Sequence, residues 1–455
     1  MSVILKIKNE IDSFSKWFKI LLVILFGIYL SFWIFTIHLS NIQKTSQIGP
    51  VLPVLAEDSE GYARLAQSII SGNGFSQNGR TETLRTPGYP FFVALIKTIG
   101  QSYFVVTFFQ ILLVFISSLI IRRIGIIFSS KKVGELASFL FLINPVTLAL
   151  SLVILTDTLF LFLFILGFYL TISISDDKFI PKLIAVSTIF SMAIYMRMGL
   201  FGFPLLIIPI LATNLTSKNK IKSMAILAVI LLFATLPWFV RNYIQTGVFG
   251  FTSFKAVNLA WVTPRFLANT NHSDLGLEEK RFGEVVGIPE SNWQDIRFSD
   301  HISSVAEKII LEKPFSYLKF HLITSIAFLF PSSLDFALTI YHSAIHYKVP
   351  FRLGSINALA SGDFKAFFEG IMRVWWKVLE RLCWFLLYIV ALFGIWDNRK
   401  RLITWAFVFV IAYFLLLAGP ASGPRYTFQA FPFIFILSIS GVVYLWHKFL
   451  KKHEV

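Results

Sequence analysis

Six charged residues of this sequence could work together as acid–base and anion-binding groups: Asp58, Arg85, Asp157, Arg197, Arg241 and Arg425. They come from six separate stretches, each next to an apolar run. A carboxylate bordering an apolar cavity can take the proton of an acceptor hydroxyl. Arginines can hold a phosphate through paired hydrogen bonds and neutralise charge as it leaves. A phosphate ester is a good leaving group and needs little acid help. These parts describe transfer of a sugar from a lipid phosphate to a hydroxyl. A retaining route would need a second carboxylate about 5 Å away as nucleophile. A single acid in the outer loop favours one displacement with inversion.

Each residue also has a plainer role. Arg197 could snorkel to the interface. Arg241 and Arg425 could anchor loop ends, and Asp157 could cap the apolar run that it opens. What argues for function is their shared side. Charges bordering a bilayer are costly, and they pair or line a cavity.

That side follows from the elements around them. Hydrophobic residues make up 56% of the 455, phenylalanine alone numbers 50, and mean hydropathy is +0.72. So much apolar surface reads as a polytopic membrane protein. The formal net charge of +16 falls in short clusters between apolar runs. These set topology and touch lipid headgroups, and nucleic acid is excluded as a partner. The lone Cys383 rules out an internal disulfide and a cysteine metal cluster.

Lys6, Lys8, Lys16 and Lys19 flank the run from Phe18 to Ile37, an uncleaved first span with its N-terminus in the cytoplasm. The stretch 39–88 is then the first periplasmic loop, and it carries the polar island Glu57 to Tyr62. Tyr62, Leu65, Ala66, Ile69 and Ile70 recur at helical spacing, which predicts an amphipathic helix on the membrane surface. Pro90 to Ile99 predicts a second one. Further spans follow up to Val240. A longer polar segment, 245–314, reads as a periplasmic loop with too few apolar residues for its own core. Three more spans close the chain in the cytoplasm. The expected fold is an all-α bundle of about ten to twelve spans forming one domain over 1–455. An extra crossing is placed between Phe315 and Tyr347.

Other chemistry is weakly represented. Neither Gly-x-x-x-x-Gly-Lys nor Gly-x-Ser-x-Gly occurs, which argues against ATP-driven pumping and a serine hydrolase elbow. His342 and His346 stand four apart near Asp335. No cofactor is assigned, and a divalent metal is left open.

The motif order resembles the GT-C integral membrane glycosyltransferases, in the branch with protein O-mannosyltransferases and the lipid A aminoarabinose transferase. The residues that carry the resemblance are Asp58-Ser59-x-x-Tyr62-x-x-Leu65-Ala66, Gly72-x-Gly74-Phe75 and Arg85-x-Pro87-Gly88-Tyr89-Pro90. Later come Leu155-Thr156-Asp157-x-Leu159-Phe160, Pro237-Trp238-x-x-Arg241-Asn242, and Arg425-Tyr426 followed by Pro432. The resemblance implies a polyprenyl-phosphate sugar donor, an envelope acceptor, an outward-facing site in the inner membrane, Asp58 as the loop acid and Arg425 on the donor phosphate. Several members carry a second acid after the loop aspartate, where this chain has Ser59. The choice of base among Glu57, Asp58 and Glu60 therefore stays open. With no soluble domain after the last span, an oligosaccharyltransferase is not expected. Tyr62, Arg85, Tyr89, Arg197, Arg241 and Tyr426 complete the expected substrate site.

The competing readings are an O-antigen ligase or polymerase and a transporter or flippase of lipid-linked sugars. A transporter would show two related halves and charges at mid-depth. Asp58→Asn is expected to abolish transfer while leaving the protein folded and inserted. Full activity in membranes carrying that variant would overturn the assignment.

Overall fold

The structure, a computed structural model, describes residues 10–43, 58–174, 179–211, 217–345 and 375–449. The chain runs through α1 (Lys16–Gln43), α2 (Ser59–Ile70), a small hairpin of β1 (Ser76–Gln77) and β2 (Arg80–Thr81), α3 (Gly88–Gly100), α4 (Tyr103–Phe128), α5 (Lys131–Ile143), α6 (Pro145–Ser151), α7 (Asp157–Ile172), α8 (Phe179–Met196), α9 (Phe203–Leu211) and α10 (Ser217–Thr246). Then come α11 (Phe254–Asn271), α12 (Leu275–Val286), α13 (Ser299–Glu312), α14 (Pro314–Thr324), α15 (Ile326–Leu329), α16 (Ser333–Ile345), α17 (Trp375–Asp397), α18 (Leu402–Ala418), α19 (Pro424–Thr427) and α20 (Phe431–Phe449).

Among the described residues seven helices are long and apolar enough to cross a membrane, or eight if the bent pair α5–α6 is one span. The shorter apolar stretches Asp157–Ile172 and Met198–Ile207 would bring the number to ten, within the expected range. The bend of 62° between α5 and α6 has a local cause. Pro145 cannot continue a helix, and Asn144 Oδ1 accepts from Val146 N at 2.9 Å to start the next one. None of these ten lies between Phe315 and Ile345, the described part of the stretch where an extra crossing is expected. There the chain makes three short helices instead. They are tied to the end of the bundle that carries Asp58. His321 Nε2 lies 3.0 Å from the Leu416 carbonyl, and Thr427 Oγ1 donates to the Phe328 carbonyl at 2.8 Å.

The opposite end has its own polar lock. Arg122, one of the basic residues clustered between apolar runs, is fully buried. It donates to Glu10 at 2.9 Å and lies 3.6 Å from Glu135. Glu135 accepts from the Ser15 backbone N–H at 2.9 Å. Arg401 reaches across to the carbonyl of Ile127 at 3.0 Å. The basic cluster thus staples the N-terminal segment to α4 and α5.

Two devices pack the interior. Phe160, Phe164 and Phe168 repeat every fourth residue on α7, all fully buried, and meet Phe414 and Phe433 edge to face. Helices α17 and α20 cross at Gly394 and Gly441. A Cβ at Gly441 would sit 1.7 Å from the Val390 carbonyl oxygen. Small residues allow such approach where no hydrophobic effect drives helices together.

The segment 245–314 departs from expectation. It was read as too poor in apolar residues for a core. Yet α11, α12 and α13 enclose one of their own, with Ala256, Ala260, Phe282, Val286, Ile302 and Ala306. Amphipathic helices need few apolar residues when these share a face.

Gly441→Leu is expected to force α17 and α20 apart and cost about 1–3 kcal/mol, seen as a lower unfolding midpoint in detergent. An unchanged midpoint would contradict the close crossing.

Candidate functional site

Asp157 opens α7 and is completely buried. Its first-turn position favours negative charge, but burial demands partners. Two arrive. Arg197 Nη2 donates to Oδ1 at 2.5 Å and its Nε to Thr156 Oγ1 at 3.1 Å. Arg425 Nε donates to Oδ2 at 2.9 Å. Arg425 then reaches on, its Nη1 donating to Asp58 Oδ2 at 2.9 Å. Arg85 Nη2 lies 3.6 Å from Asp58 Oδ1. The charges therefore alternate along one row: Arg85, Asp58, Arg425, Asp157, Arg197.

Each member is placed by its own element. Asp58 holds the N-cap position of α2, yet its side chain caps nothing, because it is turned to the arginines. Its side chain is 38% exposed, against 0% for Asp157. Arg85 lies flat against Gly61, where a Cβ would fall 2.6 Å from its Cζ, so the glycine of the first motif makes room for the arginine of the second. Arg197 follows the last turn of α8. That turn is gripped by the Arg85-to-Pro90 motif, since Thr86 Oγ1 donates to the Met196 carbonyl at 2.9 Å. A Cβ at Gly88 would meet the Tyr195 carbonyl oxygen at 2.7 Å. Arg425 sits on α19, and the Gln429 side chain one turn on locks it. With its amide oriented to suit the surrounding donors and acceptors, Gln429 donates to the carbonyls of Tyr426 (2.6 Å) and Arg425 (3.2 Å) and accepts from Arg197 Nη1 at 3.0 Å; in the opposite orientation it donates to Asp157 Oδ1 at 3.3 Å.

Electrostatics sort the roles. Burial opposes the charge on Arg425, but the carboxylates of Asp157 and then Asp58 outweigh it and raise its pKa above the ordinary value. Arg425 is a permanent cation. Burial, and then the charge of Asp58, push the Tyr62 phenol up, so Tyr62 is a neutral hydroxyl beside the row. Its ring meets Tyr89 edge to face at 5.1 Å and lies 5.6 Å under Arg85 Cζ.

The other expected residues fall outside the row. Tyr89 was expected to bind substrate, but it is fully buried and donates to Gln110 Oε1 at 2.6 Å. Gln110 in turn donates to the Val153 carbonyl at 2.8 Å. Tyr89 thus suspends the turn before Asp157 and has no surface for a substrate. Glu60 pairs on the outside with Arg64 one turn on, away from the row. Arg241 grips the first loop, donating to the carbonyls of Glu82 at 2.9 Å and Phe75 at 2.8 Å. Tyr426 borders the row, its ring 5.9 Å from Arg197 Cζ. Glu57 lies outside the described residues, as does His346.

Two further members, Glu82 and Gln429, stand out little in the sequence. Glu82 accepts from the backbone N–H of Leu84 at 2.7 Å and of Arg85 at 3.2 Å, and lies 3.4 Å from the Arg85 guanidinium. An acid three residues before an arginine was the available signal. For Gln429 the signal was a single amide in the apolar run after Arg425. Counting Glu82 and Arg241, four arginines face three carboxylates, a surplus of one positive charge.

Among the described residues no group of three or more His, Cys, Asp or Glu could hold a metal ion. A hard divalent cation wants several oxygen ligands. Here the cation between Asp58 and Asp157 is a guanidinium, so the described residues of the row offer no such ligand set.

The profile of the family described as dolichyl-phosphate-mannose-protein mannosyltransferase matches residues 84–239, about a third of the chain, with Arg85, Asp157 and Arg197 inside it. This match supports the GT-C superfamily assignment that the motifs suggested. No curated protein matches the sequence. Among solved structures, the Archaeoglobus fulgidus oligosaccharyltransferase aligns at 12% identity and a TM-score of 0.48, over 92% of this chain and 50% of its own. ArnT from Cupriavidus metallidurans bound to undecaprenyl phosphate aligns at 9% identity and a TM-score of 0.41, over 92% of this chain and 77% of its own. The chain spans about half the length of the oligosaccharyltransferase it aligns with.

Asp157→Ala is expected to cost about 3–5 kcal/mol, because it removes the buried carboxylate shared by Arg197 and Arg425, whose side chains are only 21% and 22% exposed. Asp58→Asn, half exposed and solvent-screened, should cost far less. Equal unfolding midpoints for the two variants would refute this division.

Proposed function

We propose that this GT-C superfamily membrane protein transfers a sugar from a polyprenyl-phosphate donor to an acceptor hydroxyl of a cell-envelope lipid, glycan or protein. It works at the periplasmic face of the inner membrane, within one domain spanning the chain. The observation that carries the reading is Arg425, held between a buried carboxylate and a half-exposed one.

Asp157 and Gln429 fix Arg425 from behind, so its guanidinium needs no rearrangement to meet charge. A donor phosphate would take up Arg425 Nη1 and Arg85 Nη2, the two nitrogens now turned to Asp58. That exchange frees the Asp58 carboxylate at the moment the donor is bound. Asp58 then accepts the proton of the acceptor hydroxyl, whose oxygen attacks the anomeric carbon. The bond from that carbon to the phosphate oxygen breaks, its electron pair leaves with the phosphate, and Arg425 balances the added charge. With Asp157 bound by two arginines, Asp58 is the one carboxylate of the row left to act among the described residues, which supports single displacement with inversion. Asp157, Arg197, Arg241 and Tyr89 are positioning residues in this scheme. The motif match over 84–239 supports the same reading.

The test is turnover of purified protein in nanodiscs with polyprenyl-phosphate sugars. Arg425→Gln should lower turnover by about 10²–10³-fold, as removal of one charge-stabilising donor does elsewhere, and should weaken binding of the polyprenyl phosphate itself. Wild-type turnover in this variant would overturn the proposal.

A further inference from the structure

Helix α2 presents two different faces. One buries Tyr62, Leu65 and Ala66 against the bundle. The other turns Arg64, Gln67, Ser68 and Ser71 into an open cleft of about 1150 Å³. The hairpin supplies a second wall and the α3–α4 junction a third. This cleft is separate from the arginine–carboxylate row, on the far side of a helix that is about 10 Å across.

The lining is chemically distinctive. It contains no Asp or Glu and is mostly amides and hydroxyls. Its two cations are already engaged. Lys97 Nζ donates to Gln67 Oε1 at 2.5 Å and stands 4.3 Å over the Tyr103 ring, while Arg64 pairs with Glu60. Hydrogen bonds tie the walls together. Tyr103 Oη donates to the Ala63 carbonyl at 2.9 Å, and Ser68 Oγ donates to the Gly74 carbonyl at 3.0 Å. Two of the three non-glycine residues with left-handed backbone among the described residues, Asn78 (φ 52°) and Gln101 (φ 55°), both line it. Such backbone is uncommon for side-chain-bearing residues, and each carries an amide at the cleft.

We infer that this cleft is a second, non-catalytic site for the neutral, hydroxyl-rich sugar units of the acceptor. An amide offers donor and acceptor side by side, which matches adjacent sugar hydroxyls. A phosphate would call for free arginine, and an apolar tail would find little to touch. The volume exceeds the roughly 300–1,000 Å³ typical for a small ligand, so more than one sugar unit fits. The inference rests on the transferase reading only in naming the acceptor. Binding itself is independent of catalysis.

Saturation-transfer NMR on the full chain in nanodiscs tests it, with maltotriose as the neutral probe and glycerol 3-phosphate as the headgroup probe. Asn78→Gly with Gln101→Gly removes both amides while keeping a backbone that glycine adopts freely. Maltotriose should bind the wild type and weaken about tenfold in the double variant, as expected for loss of two hydrogen bonds. Asp58→Asn should bind it as the wild type does, so a failure of the catalytic reading shows only in transfer assays. Absent maltotriose binding, equal binding by the double variant, or binding of glycerol 3-phosphate in its place would each overturn the inference.

Discussion

A carboxylate with no exposed surface must be compensated where it stands, and in this protein Asp157 sets that condition. Its partners cannot come from α7, which carries no basic residue. They come instead from the end of α8 and from α19, distant in sequence and joined only here. Once Arg425 is committed to Asp157, its remaining nitrogen is directed at the first loop, and Asp58 is the group it meets. The bundle and the loop are thereby coupled through a single guanidinium. Removing a member of such a buried set leaves an uncompensated charge, which costs more than the pair contributes when intact.

The surroundings hold this geometry without taking part in chemistry. Arg241 ties the hairpin to α10 through the carbonyls of Phe75 and Glu82. Thr83 ties the same loop to the small helical cluster, its Oγ1 accepting from the Ile296 N–H at 3.1 Å and its carbonyl from the Ser253 N–H at 2.9 Å. Glu82, set between these anchors, faces Arg85. The two polar segments that sequence alone shows as separate loops are one platform above the helices. The aromatic ladder on α7 stiffens the base of that platform, because phenylalanines interlocked edge to face have little room to shift.

Much of this was legible. Long apolar runs with basic flanks are enough to announce a helical membrane protein, since backbone in lipid has no other way to satisfy its hydrogen bonds. The side on which each loop falls is enough to bring Asp58, Asp157, Arg85, Arg197 and Arg425 to one end. What was not legible is which of the neighbouring polar residues join. Glu60 and Asp58 are two residues apart, yet on a helix that separation turns them to different faces, one to solvent and one to Arg425. Tyr89 belongs to the motif but faces inward, because Gln110 offers a buried acceptor. Glu82 and Gln429 carry only a slight local signal each: Glu82 holds the backbone of its near neighbours Leu84 and Arg85, while Gln429 depends on groups far along the chain.

Sequence by itself therefore determined the class of fold, the end of the bundle where charge collects and the residue types available there. These are local properties of hydropathy, spacing and charge, which each stretch carries independently. Tertiary structure decided that the carboxylates differ, Asp157 sealed and Asp58 open, that one arginine bridges them, and that α2 divides the charged row from a polar cleft that contains no carboxylate. Burial and pairing depend on what packs opposite each side chain, and no single stretch of sequence contains its own opposite wall.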